Sequence, residues 1–110
     1  MISWQGRIFL ATAPVDFRGS FDRLSGMVRE QLKGDPRSGA FFVFLNRRAD
    51  RLKILYFDGT GDCILYKRLD RRTFSGIVAV DANRERVEIN VEALQRLLAG
   101  SDRGRRRSIH

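Results

Sequence analysis

The chain has 110 residues, the size of one domain, and can close a single core without metal or disulfide support. A hydrophobic fraction of 43% excludes wholesale disorder. Against 13 acids stand 21 Lys and Arg, for a formal net charge of +8, which favours a polyanionic partner over an acidic-surfaced one.

In chain order, Ile8–Leu10 reads as a short strand that stops where Pro14 withdraws an N–H. From Ser20, a plausible N-cap, the period changes. Phe21, Leu24, Met27, Val28 and Leu32 recur at three- and four-residue spacing, the stripe of an amphipathic helix. Gly34 followed by Asp35-Pro36 is its expected stop, and Gly26 costs it about 1 kcal/mol relative to Ala. Three β-prone runs follow: Phe41–Leu45, Leu52–Phe57 and Cys63–Leu69. Asn46–Asp50 is a polar loop, and Asp58-Gly59-Thr60-Gly61 a sharper turn whose glycines accept positive φ.

If Asp58 and Gly61 flank that turn, Leu55 faces Ile64, Lys53 faces Tyr66 and Arg51 faces Arg68. Leu52, Ile54, Tyr56, Cys63, Leu65 and Leu69 then share the opposite face, joined by Phe42 and Phe44 under a helix. The other face holds Phe41, Val43, Leu55, Phe57, Ile64 and Tyr66. It is too apolar to be bare, so the second helix or a partner such as another copy of the chain covers it. Ile77–Val80 and Arg86–Ile89 read as two further strands joined by Asp81–Asn83. Asn90 caps a helix with a Val91, Leu94, Leu97 and Leu98 stripe, closed by Gly100. The expectation is a single compact α+β domain over residues 1–100. It consists of an antiparallel β-meander packed with an N-terminal and a C-terminal helix, followed by a basic, disordered tail at 101–110.

Catalytic constellations are missing from the pattern. The single histidine is His110, at the end of the basic tail, which removes histidine-based triads and His-containing zinc sites. Cys63 alternates with core residues and reads as an inert thiol; alone, it forms no internal disulfide and suits a reducing cytoplasm. The Gly59 and Gly61 run lacks the lysine and following helix of a phosphate loop. Asp58 and Asp62 flank one turn, and a metal-assisted nuclease built on them is the enzyme alternative, but no third acid is placed beside them. The sequence is thus read as non-enzymatic, with no metal and no cofactor. No apolar run approaches the roughly 20 residues that span a bilayer, and the N-terminal segment lacks the shape of a signal peptide, so no membrane role is expected.

The binding features are charge and aromatic rings. The last ten residues hold Arg103, Arg105, Arg106 and Arg107, but the remaining 17 basic and 12 acidic groups show that the excess is not confined to the tail. Arg47, Arg48, Arg51 and Lys53 cluster at one hairpin; antiparallel pairing brings Lys67, Arg68, Arg71 and Arg72 back beside them. Tyr66 and Phe57 offer stacking faces of the kind single strands use. The competing reading is an edge whose charge prevents strand-to-strand aggregation.

The segments Pro14–Leu24 (PVDFRGSFDRL), Asp35–Gly39 (DPRSG), Phe42–Phe44 and Asn46–Leu55 (NRRADRLKIL), followed by Asp58–Gly61 and Lys67–Leu69, carry a family likeness in order and spacing. Together they resemble the small TnpB-type accessory protein of insertion-sequence-66-type bacterial mobile elements. The likeness covers about residues 1–74 plus the Leu-rich terminal helix. Phe17 stands where that family usually has Met, Gly19-Ser20 replaces a Lys-Gly, and Ser75-Gly76 replaces Trp-Pro after Phe74. The resemblance implies a cytoplasmic helper encoded beside a larger transposase, with no catalytic residues to carry over. The function expected is a transposition accessory protein that binds duplex DNA electrostatically, the transposase, or both. Its contacts would be Arg47, Arg48, Arg51, Lys53, Lys67, Arg68, Arg71 and Arg72, with Arg18 from the best-matched segment. The alternative is a protein-interaction module that docks on the transposase or pairs as a homodimer without touching DNA.

Overall fold

Ile8–Ala11 is buried at all four positions, which a strand allows only when both of its sheet faces are covered. The structure, a computed structural model, describes residues 3–19, 21–74 and 84–102. Ile8–Ala11 forms β1; α1 spans Phe21–Glu30, β2 Phe41–Leu45, β3 Arg51–Phe57 and β4 Asp62–Arg68. After β5, Arg72–Thr73, come β6, Arg86–Ile89, α2, Val91–Ala99, and β7, Ser101–Asp102. The main sheet runs β4-β3-β2-β1-β6, and β5 pairs with β7 in a small second ladder. The α+β reading holds. β2, β3 and β4 are the antiparallel meander, but the sheet as a whole is mixed, because α1 carries the chain over so that β2 lies parallel to β1. β6 closes the other side antiparallel to β1.

Each helix covers one face. Under α1 lie Phe9, Phe42, Phe44 and Leu55 with Leu24, Val28 and Leu32. Under α2 lie Ile8, Leu10, Phe41, Val43, Leu52 and Ile54 with Phe74, Leu94 and Leu97. Each such side chain, fully buried, contributes about 1.5–3 kcal/mol. α2 is thus the cover expected over Phe41 and Val43.

The β3–β4 register is the one read from the turn: Leu55 opposite Ile64, Lys53 opposite Tyr66, Arg51 opposite Arg68. Phe42 and Phe44 lie under a helix as expected, but they share their face with Leu55 and Ile64, whereas Leu52 and Ile54, expected beside them, lie on the α2 side. Phe42 pairs with Leu55 and Phe44 with Lys53, so both lie under α1, while Phe41 and Val43 join Ile54 under α2. The cause is the hairpin loop, which closes with Leu45 opposite Leu52 and so shifts β2 by one residue from the assumed pairing.

The helix ends follow the sequence in part. Asn90 caps α2, its Oδ1 accepting the Ala93 N–H at 2.8 Å, and Gly100 closes it. At the end of α1 it is Lys33, not Gly34, that takes the left-handed turn, at φ 56°. Gly34 serves a close approach instead: a Cβ there would sit 3.0 Å from the Phe42 ring. The expected Ser20 cap, the Ile77–Val80 strand with Asp81–Asn83, and residues 103–110 of the basic tail, His110 included, lie outside the described residues. No helix among the described residues is long and apolar enough to cross a membrane.

Candidate nucleic-acid interface

Two loops at the same end of the sheet build the site. The first, Asn46–Asp50, is organised by one side chain. Asn46 Oδ1 accepts the N–H groups of Asp50 at 3.1 Å and Arg51 at 2.9 Å, and its Nδ2 donates to Asp50 Oδ1 at 2.8 Å. That hydrogen bond is the main reason the Asp50 carboxyl is held below its ordinary pKa. Ala49 takes a left-handed φ of 59° to complete the turn, and Arg47 and Arg48 stand exposed at the tip. The carbonyls of Asp50 and Ala49 then accept the N–H groups of Leu69 at 2.8 Å and Phe74 at 2.6 Å, which fixes the chain after β4 beside the tip.

The second loop, Pro14–Gly19, is laid along the first. Val15 N–H donates to Leu45 O at 2.9 Å, and Val15 is buried. Lys53 holds the loop from beneath: its Nζ donates to Phe17 O at 3.4 Å and Gly19 O at 3.3 Å. It also lies 4.9 Å from the Phe17 ring centre and 5.4 Å from that of Tyr66. Asp16 accepts from the Arg18 backbone N–H at 3.0 Å and pairs with its guanidinium at 2.7 Å. Those bonds pull the Asp16 carboxyl below its usual range. Between the loops lies a groove of about 470 Å³, walled by Pro14–Arg18 on one side and by Asn46, Arg47, Arg51 and Tyr66 on the other.

Arg51 is the pivotal group. It lines this groove and a second hollow formed with Asp50, Arg68, Leu69 and Asp70. It also faces Arg68 directly across the β3–β4 ladder. Its Nε is buried and meets no acceptor among the described residues. Like charges opposite one another on neighbouring strands are destabilising, and an unpaired buried donor adds to the cost.

Of the nine cations nominated from sequence, the structure gathers Arg18, Arg47 and Arg51 around the groove, with Arg68 next to Arg51. Arg48 is exposed at the tip, and Arg71 is exposed 3.9 Å from Asp70. Lys53 is turned inward as the loop clamp. Lys67 and Arg72 belong to the other side of the sheet. Lys67 Nζ donates to Leu98 O at 2.8 Å, and Arg72 Nη1 to Ala99 O at 3.2 Å and Gly100 O at 3.4 Å, so both serve the carbonyl end of α2. The cations therefore divide between two faces instead of forming one continuous edge. Sequence reasoning did not single out Asn46 or Phe17; an Asx residue opening a polar loop was the available signal for the first.

The carboxylates flanking the other turn are engaged elsewhere. Asp58 Oδ1 accepts from Thr60 N and Gly61 N at 2.9 Å and Thr60 Oγ1 at 3.0 Å, which lowers its pKa to about 2. Asp62 pairs with Arg37 at 3.6 Å. Among the described residues no three His, Cys, Asp or Glu come together as a metal-holding group. Of the proposed stacking rings, Phe57 is half-buried beneath the Arg37 guanidinium, and Tyr66 is 53% exposed at the groove.

Fold and site together define a small mixed-sheet α+β protein with an arginine-lined groove at one end of its sheet. The chain belongs to the IS66 Orf2-like protein family, whose sequence model matches residues 6–108. The match thus runs through the segment after Phe74 that departs from the expected motif. Membership places the chain among the transposition-associated accessory proteins of insertion sequences. Similar to it are two proteins of Sinorhizobium fredii. Uncharacterized protein y4hO is 38% identical over 96 residues, 87% of this chain and 81% of its own length. Uncharacterized protein y4jC is 43% identical over 68 residues, 62% and 58% respectively. No solved structure matches the chain.

Proposed function

We propose that the protein is a non-catalytic accessory of transposition that grips duplex DNA by its phosphates through the Arg47–Arg51–Arg68 end of the sheet. One observation carries the reading: Arg51 lines an open groove with Arg18 and Arg47 while facing a second arginine, Arg68, across the ladder. A phosphate seated in that groove offsets the repulsion, and guanidinium groups fork onto phosphate oxygens in a planar, bidentate way. Arg18, Arg47 and Arg48 extend the contact, and Arg71 lies on its rim. That the family works in the movement of DNA supports DNA as the polyanion.

A salt titration of binding to a labelled blunt duplex tests it. The affinity should fall steeply as salt rises, by a slope of about −0.9 per phosphate engaged. The double variant Arg47→Glu/Arg48→Glu should bind at least about tenfold more weakly, irrespective of DNA sequence, with a slope shallower by about 2. An unchanged affinity in that variant removes this end of the sheet from the function. A second reading, docking on the transposase, is favoured by the exposed rings of Tyr66 and Phe21 (53% and 41%). A salt-insensitive complex with the transposase, in a protein that shifts no DNA, would establish it instead.

A further inference from the structure

The groove has more character than an electrostatic grip on a duplex requires. Its volume of about 470 Å³ lies within the range of about 300–1,000 Å³ found for small-molecule sites. Its lining is two-sided. Phe17 and Tyr66 supply aromatic surface, and Arg18, Arg47 and Arg51 supply guanidinium groups. Tyr66 is held in position, with Lys53 5.4 Å from its ring centre and Phe17 edge-on at 6.4 Å, yet it keeps 53% of its surface open. Packing on Phe17 and Lys53 accounts for one side of the ring and gives no reason for the open side beside Arg47 and Arg51. A duplex gives no reason either, since its bases are stacked inside and only its backbone would reach a hollow of this size.

We infer that the groove receives one unpaired nucleotide of a DNA strand, its base stacked on Tyr66 and its phosphate on Arg47 and Arg51. The inference rests on the DNA-binding reading above and adds a substrate class to it, the junction between duplex and single strand. At such a junction the phosphate that Arg47 and Arg51 would take from a duplex is that of the first unpaired residue, and Arg48, Arg68 and Arg71 follow the duplex backbone. Asp16 does not repel the phosphate strongly, because its carboxylate is already bound to Arg18. Stacking on an aromatic ring tolerates any base, so the groove selects strand state and not sequence.

The test compares a blunt duplex with the same duplex carrying a short oligodeoxythymidine overhang, in wild-type protein and in Tyr66→Ala and Tyr66→Phe. The overhang should improve affinity about tenfold in wild type and in Tyr66→Phe, with no gain in Tyr66→Ala, while the three bind the blunt duplex alike. A 2-aminopurine at the first unpaired position should be quenched on binding to wild type and bright on Tyr66→Ala. Since Tyr66 is half-exposed, its loss leaves the core intact, and melting curves of the variants check this. Equal affinity for overhang and blunt duplex, or equal weakening of both by Tyr66→Ala, overturns the inference but leaves the duplex grip standing. Failure to bind either DNA overturns both. Displacement of the overhang by free thymidine monophosphate at equal concentration would make the ligand a mononucleotide and likewise overturn it.

Discussion

Lys67 and Arg68 are adjacent on β4, yet they turn to opposite faces of the sheet and meet different fates. Lys67 finds the carbonyl end of α2, and Arg72 joins it there. Arg68 finds Arg51 across the ladder, next to a groove that α1 does not reach. Both faces carry positive charge. On one, a helix end supplies the partners; on the other, two arginines face each other in a hollow shared with Asp50 and Asp70. Whether a basic residue is available to a ligand is decided by the element packed over its face, not by its place in a basic run.

Several substitutions press on that contrast. The largest effects should be common to both faces, because each helix is held by buried side chains. Phe44→Ala under α1 and Leu97→Ala under α2 should each cost about 3–5 and 2–5 kcal/mol respectively in urea unfolding. A much smaller loss at Leu97 would mean that α2 is a detachable cover. The contrast itself appears next. Where Arg47→Glu/Arg48→Glu weakens DNA binding without shifting the melting temperature, Lys67→Ala should do the reverse. It should lower stability by about 0.3–1 kcal/mol while leaving the duplex affinity within about twofold. Strong loss of DNA affinity in Lys67→Ala would show that the two faces act together. Asn90→Ala removes the cap of α2 and should cost about 1 kcal/mol with no change in DNA affinity.

The smallest effect is on the acid limb. The folded pKa of Asp58, about 2, lies below the usual carboxylate value of about 3.9, so its contribution is complete above about pH 4 and is lost as pH falls toward 2. Asp16, Asp50 and Glu88 are shifted in the same direction. The melting temperature should therefore decline across that window, and Asp58→Asn should flatten the decline by removing one titration. An identical acid limb in that variant would assign the sensitivity to the other three carboxylates.

Much of this molecule was legible in its sequence, and the unreadable parts share a cause. The Asp58–Gly61 turn fixed the β3–β4 register, because a four-residue turn with Gly59 at φ 102° leaves little freedom in how the strands meet. The five-residue Asn46–Asp50 loop left more freedom, and the β3 side chains that share a face with Phe42 and Phe44 were read one residue out. The caps of α2 were local and therefore readable. The parallel pairing of β1 with β2 and the docking of Lys67 on Leu98 span about 30 residues or more, and no local pattern encodes them. The groove was half visible. Arg47 and Arg51 were evident, but its far wall, Pro14–Arg18, is brought in by Lys53 and by a backbone bond to Leu45.

Ala49 places an ordinary L-residue where a hairpin usually favours glycine, a conformation that costs about 1 kcal/mol. Glycine there would ease that tension, while the Asn46 bonds to Asp50 and Arg51 would still close the loop that bears Arg47 and Arg48. The methyl group thus accepts a strained closure at the foot of a tip from which two long cations reach into solvent.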